Sequence, residues 1–332
     1  MLGTATAKQG VLRPAAPCNR SVPRGSMRKP VSLFLLSFAI LAIASPAAAQ
    51  VEVGSSQRSW TLYENLEGSS DDAGFVTRFD STLGYNFNRY FSVDAGLPVY
   101  FVSASDTTTG LTSVNGIGDM YLDLRLTFRN PVVNYITTAR GTAPTGDTSQ
   151  GLSTGRATYD WSNYFDRSFG RFTPYANLGI ASTVPDAIYF VRPFSTLGTV
   201  GHFEAGLGVR LSHYFSVSAS AYDIAPTGQQ KIYSRMVPRS SGSGGGGPVL
   251  MASAFDLTPA AHHGPPVYET APETTGPASL TADNGYSAGL NIFPTRFINL
   301  HAGYSHSVHF HQDSAYFGLG FDVGSLWKTM RL

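Results

Sequence analysis

The sequence predicts an all-β protein, a transmembrane antiparallel β-barrel of about twelve strands, and three observations carry that prediction. The first is alternation. In Gly118 to Arg129 (GDMYLDLRLTFR) Met120, Leu122, Leu124, Leu126 and Phe128 are apolar, while the positions between them are polar or amphipathic. A period of two is that of a strand, with one face of hydrocarbon and the other carrying both signs of charge. The second is length: many of the alternating segments run roughly 10 to 14 residues, which suits a tilted membrane crossing better than the ~5 to 6 of ordinary soluble strands. The third is the connections, which are short after every even strand and mostly longer after odd ones, as in barrels with tight periplasmic turns and long extracellular loops. A soluble sandwich would turn its oily faces onto a second sheet and has no reason to sort its connections this way.

The N-terminus reads as an export signal. After Met27, Arg28 and Lys29 give a positive n-region, Val31 to Ile43 an apolar h-region, and Ala47-Ala48-Ala49 a cleavage site that leaves Gln50 first. The apolar run is shorter than the ~20 residues of a spanning helix. Residues 1–26 read as a non-native or extended leader, 27–49 as the signal peptide and 50–59 as a periplasmic segment. Six of the 23 Lys and Arg residues and none of the 22 Asp and Glu precede Gln50, so the mature chain has 17 basic residues against 22 acidic. That balance argues against a nucleic-acid partner. Cys18, the single cysteine, leaves with the leader, so the mature chain has no disulfide, thiolate metal site or acylated cysteine. Only 14% of residues are charged, 12% are aromatic and 35 are Gly, which suits a β-rich envelope protein.

The barrel is expected over 60–323. Its first strands are Trp60 to Glu67, Phe75 to Phe87 and Phe91 to Val102, joined by a polar loop and then a tight turn at Asn88-Arg89. After a polar loop from Ser103 to Asn115 the Gly118 strand follows, and Asn130-Pro131 turns it into Val133 to Ala143. Thr158 to Arg167, Phe172 to Ser182, Leu197 to Leu211 and Phe215 to Ile224 continue the rhythm. Pro226 to Asp283 interrupts it as an extracellular insertion, whose SSGSGGGGP run (Ser240 to Pro248) has the composition of a flexible coil and in which Gln230 to Met236 could prolong a hairpin. Tyr286 to Phe293, Phe297 to Val308 and Ala315 to Val323 complete twelve strands, and 324–332 forms a tail. Tyr85, Phe87, Phe91 and Phe128 gather near tight turns, and Phe101 and Tyr286 near loop ends, as two interfacial girdles require.

Three segments carry a family resemblance: GIGDMYLDLRL (Gly116 to Leu126), APTGD (Ala143 to Asp147) and TPYANLGIA (Thr173 to Ala181). They resemble the outer-membrane proteins grouped as the meta-pathway of phenol degradation family, over most of Phe75 to Val323. The resemblance implies a transporter barrel of about twelve strands and passage of small aromatic compounds. The last strand resembles the signal read by the outer-membrane assembly machinery, with Tyr316, Gly318, Phe321 and Val323 in its polar-x-Gly-x-x-apolar-x-apolar places.

Parity assigns the lumen. Its expected charges are Arg78, Asp80, Asp94, Asp119, Asp123, Arg125, Arg140, His202, Glu204, Arg210 and Asp322, with His301 on the same interior face. Charged rings select solutes by field, and the same residues can instead neutralise one another across a narrow lumen. His301, His309 and His311 share one parity, but only Asp313 stands near them as a further metal ligand. Twelve-stranded phospholipases carry a motif resembling His-x-Ser, and none of the eight His here has Ser two residues on. The glycine run lacks the Gly-Lys-Ser/Thr of a phosphate loop. The expectation is therefore a cofactor-free, non-enzymatic channel in the bacterial outer membrane, in contact with lipid and passing a small solute, aromatic or hydrophobic by the family resemblance. The alternative is a non-conducting surface protein that binds a partner through its long loop.

Overall fold

Residues 58–70, 74–105, 113–186, 191–237, 239, 267–295, 297–310 and 312–322 are described by the computed structural model. The leader, the glycine run and the 324–332 tail lie outside them. In chain order the strands are β1 (Ser59–Ser70), β2 (Gly74–Asn86), β3 (Phe91–Ala104), β4 (Val114–Ile117), β5 (Met120–Arg129), β6 (Asn134–Ala143), β7 (Thr158–Asp166) and β8 (Phe172–Ala181). There follow β9 (Phe194–Leu197), β10 (Val200–Arg210), β11 (Phe215–Pro226), β12 (Gln230–Ser234), the short helix α1 (Val267–Thr270), β13 (Glu273–Gly276), β14 (Asp283–Thr295), β15 (Ile298–Ser307) and β16 (Gln312–Asp322).

Twelve of these strands form a closed wall. Each pairs antiparallel with the next around β1-β2-β3-β5-β6-β7-β8-β10-β11-β14-β15-β16, and β16 returns to β1 with Tyr63 opposite Asp322. Closure leaves no open edge, so every strand of the wall has a neighbour on both sides. The alternation seen in the sequence becomes an inversion of ordinary burial. Leu122 is 48% exposed and Leu83 51%, whereas Asp123 between its leucines is 2% exposed. A soluble fold does not present such a continuous apolar exterior around buried carboxylates.

The turn end of the barrel carries an aromatic belt. Trp60, Tyr85, Phe87 and Phe91 form one chain of ring contacts, with centroids 4.9, 4.9 and 5.2 Å apart. Tyr90, Phe128, Tyr135 and Phe165 continue it across β5, β6 and β7. At the loop end Phe75 stacks on Phe317 at 5.8 Å and Tyr286 lies against His306. Among the polar groups on the exterior is Glu64 on β1, which accepts a hydrogen bond from Ser81 at 2.5 Å.

Inside, rings lie flat over glycines. A Cβ on Gly96 would stand 2.2 Å from the Tyr121 ring, and one on Gly206 2.5 Å from Tyr175. Gly303 leaves room for Tyr316, Gly179 for His202 and Gly318 for His301 in the same way. The glycines therefore set how closely the interior rings hug the wall, and any side chain there would push a ring into the lumen.

Two expected strands differ. The strand expected from Leu197 to Leu211 is β10, from Val200 to Arg210; Leu197 instead ends β9, a strand outside the wall whose Phe194 and Thr196 are buried at the loop end. The Gly118 strand starts earlier, at β4, and kinks at Gly118, whose amide donates to Pro98 O at 2.8 Å and where a Cβ would stand 2.5 Å from the Tyr100 ring. The insertion differs too. Its described parts are ordered: β11 runs on to Pro226, and β12 pairs with β9 and β13 in a separate three-stranded sheet instead of prolonging a hairpin.

That small sheet fills the mouth of the barrel. Phe194, Ile232, Met236 and Tyr268 pack with Val191 and Leu152 against the inward side chains Val76, Tyr100 and Val102 of β2 and β3. Burial of each such side chain is worth about 1.5–3 kcal/mol. The loop after β6 reaches this core through Gly151, which has φ +68° and would place a Cβ 1.9 Å from Ser234 O, so only glycine fits.

Candidate functional site

The interior is a stack of ionic layers. Just beneath the apolar plug, Arg78 of the wall pairs with Glu67 on β1 and reaches Asp186, in the loop before β9, at 3.5 Å. Arg235, just past β12, approaches the same carboxylate at 3.5 Å while its guanidinium lies 4.1 Å over the Tyr100 ring. Tyr100 donates its hydroxyl to Asp186 at 2.8 Å, and the Arg192 amide donates to it at 2.9 Å. Burial pushes the Asp186 carboxyl up, but Arg235 and Arg78 outweigh it and hold it below the usual carboxylate range. A second link to the wall joins Arg192 to Asp283 at 3.3 Å.

One layer further in, Arg140 donates from Nε and Nη2 to both oxygens of Asp123, each at 2.7 Å. This bidentate pair is the strong geometry for arginine and carboxylate. The same guanidinium stacks 4.0 Å over the Tyr121 ring, and the Tyr121 hydroxyl donates to Asp80 at 2.9 Å. On the neighbouring strands, where Asp160 of β7 lies in register with Arg140, His202 Nε2 lies 3.0 Å from Asp160, and Tyr175 donates to Glu204 at 3.2 Å.

Toward the turn end the interior opens. Arg125 stands 3.4 Å from Asp94 with its side chain 40% exposed, Arg210 is exposed, and Asp322 lies near the end of its strand. His301 and Tyr316 line β15 and β16, with ring centroids 6.5 Å apart. Between plug and wall a cavity of about 110 Å³ is bounded by Arg78, Asp80, Asp119, Arg140, Asp160, Asp186 and Arg235. Asp119 projects there from the kink and accepts the Gly146 amide at 3.1 Å. A space of this size holds a few waters and is below the ~300 Å³ of small-molecule pockets.

Every residue expected in the lumen lies on the interior parity, but the residues do different things. Arg78, Asp80, Asp123, Arg140 and His202 are engaged with one another or with near neighbours, and Asp119, held by the Gly146 amide, lines the cavity with Arg78, Asp80 and Arg140. The plug residues Asp186, Arg192 and Arg235, the wall carboxylate Asp283 that Arg192 meets, and Glu67, which pairs with Arg78, were not legible as lumen residues. Glu67 shares the odd parity of Tyr63 on β1, and that signal could have found it; the others lie in or beside loops without a period. Of the histidines, His301 is interior and His306 lies on the exterior, 2.6 Å from Asp313. Among the described residues no three His, Cys, Asp or Glu side chains come together as a metal site.

No family model matches the chain, and no curated protein matches it. Solved structures align with it across most of its length at low identity. An outer membrane channel from Pseudomonas putida F1 is 10% identical, covering 84% of this chain and 99% of that one, at a TM-score of 0.49. The KdgM porin in complex with disordered oligogalacturonate is 6% identical, over 78% and 98%, with a TM-score of 0.42. The NanC porin is 6% identical over the same shares, with a TM-score of 0.43. The barrel assignment here rests on the strand pairing, not on these likenesses.

Proposed function

We propose that the chain is a bacterial outer-membrane channel for passive diffusion of a small solute. The observation that carries this reading is the closed wall, apolar and ringed by aromatics outside, charged and hydroxylated inside. The exterior asks for lipid; the interior asks for water. The sequence signal at 27–49 supports export, and the loop-end mouth then faces outward with both ends of the wall on the periplasmic side. Solutes with a ring and a polar edge fit the interior best, because Tyr121, Tyr175, Tyr222 and Tyr316 present flat rings between hydroxyl and carboxylate groups. The family resemblance points to the same class.

Planar-bilayer recording of the refolded protein tests the reading. Discrete current steps are expected, and their absence both from the wild type and from a form with its plug released would sink it. A second reading, a non-conducting surface protein, draws support from one observation, the dry packing that fills the mouth. Liposome swelling with small sugars and phenols separates the two, since a surface protein would leave the swelling rate at that of empty vesicles.

A further inference from the structure

We propose that the loop-end sheet is a gate: β9, β12, β13 and α1 form a plug held in the mouth by an ionic latch at Asp186, and passage requires that latch to open. This rests on the channel reading above.

Three features of the structure carry the inference. The first is mechanical independence. The plug sheet shares no strand ladder with the barrel wall; where β9 leaves it, Gly198 N donates to Ser182 O at 2.9 Å and Val184 N to the Thr196 hydroxyl at 2.6 Å. The side-chain contacts that also join the two include Asp186 with Arg78 and Tyr100, Arg192 with Asp283, the Ser69 hydroxyl on Val191 O at 2.5 Å, the Ser195 hydroxyl on Gly151 O at 3.1 Å, and the apolar seat formed by Val76, Tyr100 and Val102.

The second is the kind of contact chosen. Buried ion pairs gain little over the same ions in water, because desolvation consumes most of their attraction. When the plug lifts, Asp186, Arg78 and Arg235 regain hydration, which offsets the broken contacts. An all-apolar seat would have no such return and would stay shut. A latch built from buried charge is thus specific in position and only modest in net strength.

The third is placement. Asp186 sits where plug, wall and cavity meet, with Arg78 from β2 on one side and Arg235 from the plug on the other. Removing its charge leaves two guanidinium groups facing one another in a buried site, so one substitution converts the latch into a repulsion. The cavity beside it is lined by Arg78, Asp80 and Arg140 of the wall together with Asp186 and Arg235.

The test uses the mature chain, which has no cysteine after Cys18. Thr196→Cys places a thiol on β9 at a fully buried position, and its maleimide labelling in the folded barrel reports how often the plug leaves. Asp186→Asn in that background is expected to speed labelling about tenfold or more, and Arg78→Gln to do the same in case the first variant folds poorly. Single-channel current should rise in parallel. Conversely, a disulfide between Ser69→Cys and Val191→Cys should lower the current until a reductant is added. Unchanged labelling in both latch variants overturns the latch. Faster labelling with unchanged current, in a wild type that conducts, overturns the gate. If no form conducts even when labelling is fast, the channel reading itself fails and takes the gate with it.

Discussion

The two halves of the barrel interior are built on the same wall by opposite rules. At the loop end Arg192 and Arg235 have side chains only 6% exposed and sit among Tyr268, Met236 and Phe194, with each charge answered by a carboxylate. At the turn end Arg125 is 40% exposed and stands 3.4 Å from its partner Asp94. One half is a buried core assembled from loops and a small sheet, the other a more exposed interior assembled from the wall strands. The contrast teaches that a single alternating pattern can deliver both, because the pattern fixes which face points inward and says nothing about what fills the space there.

The largest expected effect separates the halves outright. Tyr268→Ala should cost plug docking about 3 kcal/mol or more, as for other large-to-small core changes, while the wall stays closed. Hydrogen exchange should quicken in β9 and β12 alone; loss of the compact band on unheated gels would show that the halves are one cooperative unit. The reverse experiment is Gly96→Leu, whose side chain must displace the Tyr121 ring. It should lower the stability of the wall by about 1–3 kcal/mol, read from the urea midpoint of the refolded barrel.

A subtler pair sharpens the comparison within one strand. Asp123→Asn removes the bidentate partner of Arg140, but that guanidinium is 39% exposed, so the loss should be about 1–2 kcal/mol rather than the full cost of a stranded buried charge. Asp119→Asn should leave stability within about 0.5 kcal/mol and move the reversal potential toward anions, because this carboxylate faces the cavity. If the two variants changed selectivity equally, the division between structural and field-setting charges would be wrong. On the exterior, Glu64→Leu should stabilise the barrel in bilayers by under about 2 kcal/mol and change nothing in detergent-independent ion selectivity.

The smallest effect is expected from pH above 5. The folded-state Asp186 carboxyl is held below the ordinary range, so its contribution is present above the unfolded value of about 4 and is lost only as pH falls through the lower folded value. Thr196→Cys labelling should therefore be flat from pH 7 to 5, after allowance for thiol ionisation, and hydrogen exchange of β9 should rise only in stronger acid. A rise near pH 6 would point to another group.

The wall was legible because its residues obey a period of two: all twelve strands, the interior parity of Asp80, Asp94, Asp123 and Arg140, and the aromatic belt follow from alternation and turn spacing. The plug was not. Phe194 and Thr196 lie in a short stretch before β10 that is too brief to show a period of its own, and Ile232, Met236 and Tyr268 are ordinary apolar residues in a stretch dominated by Gly, Pro and Ser. Their burial is decided by a long-range pairing of β12 with β9 that has no footprint in either segment alone. Asp186 and Arg235 illustrate the same limit: each reads as a solvated loop charge until the other, and Arg78, are placed beside it.

The seam between β1 and β16 has a consequence for how the molecule comes into being. Tyr63 meets Asp322 only after every intervening hairpin exists, so a partly built sheet carries two bare margins and an oily flank with nowhere to hide. Such a chain cannot secure itself hairpin by hairpin as it lengthens. Its safety depends on being shielded in transit and zipped shut in a single late event, and any substitution that slows that last stitch endangers the unfinished protein far more than the finished one.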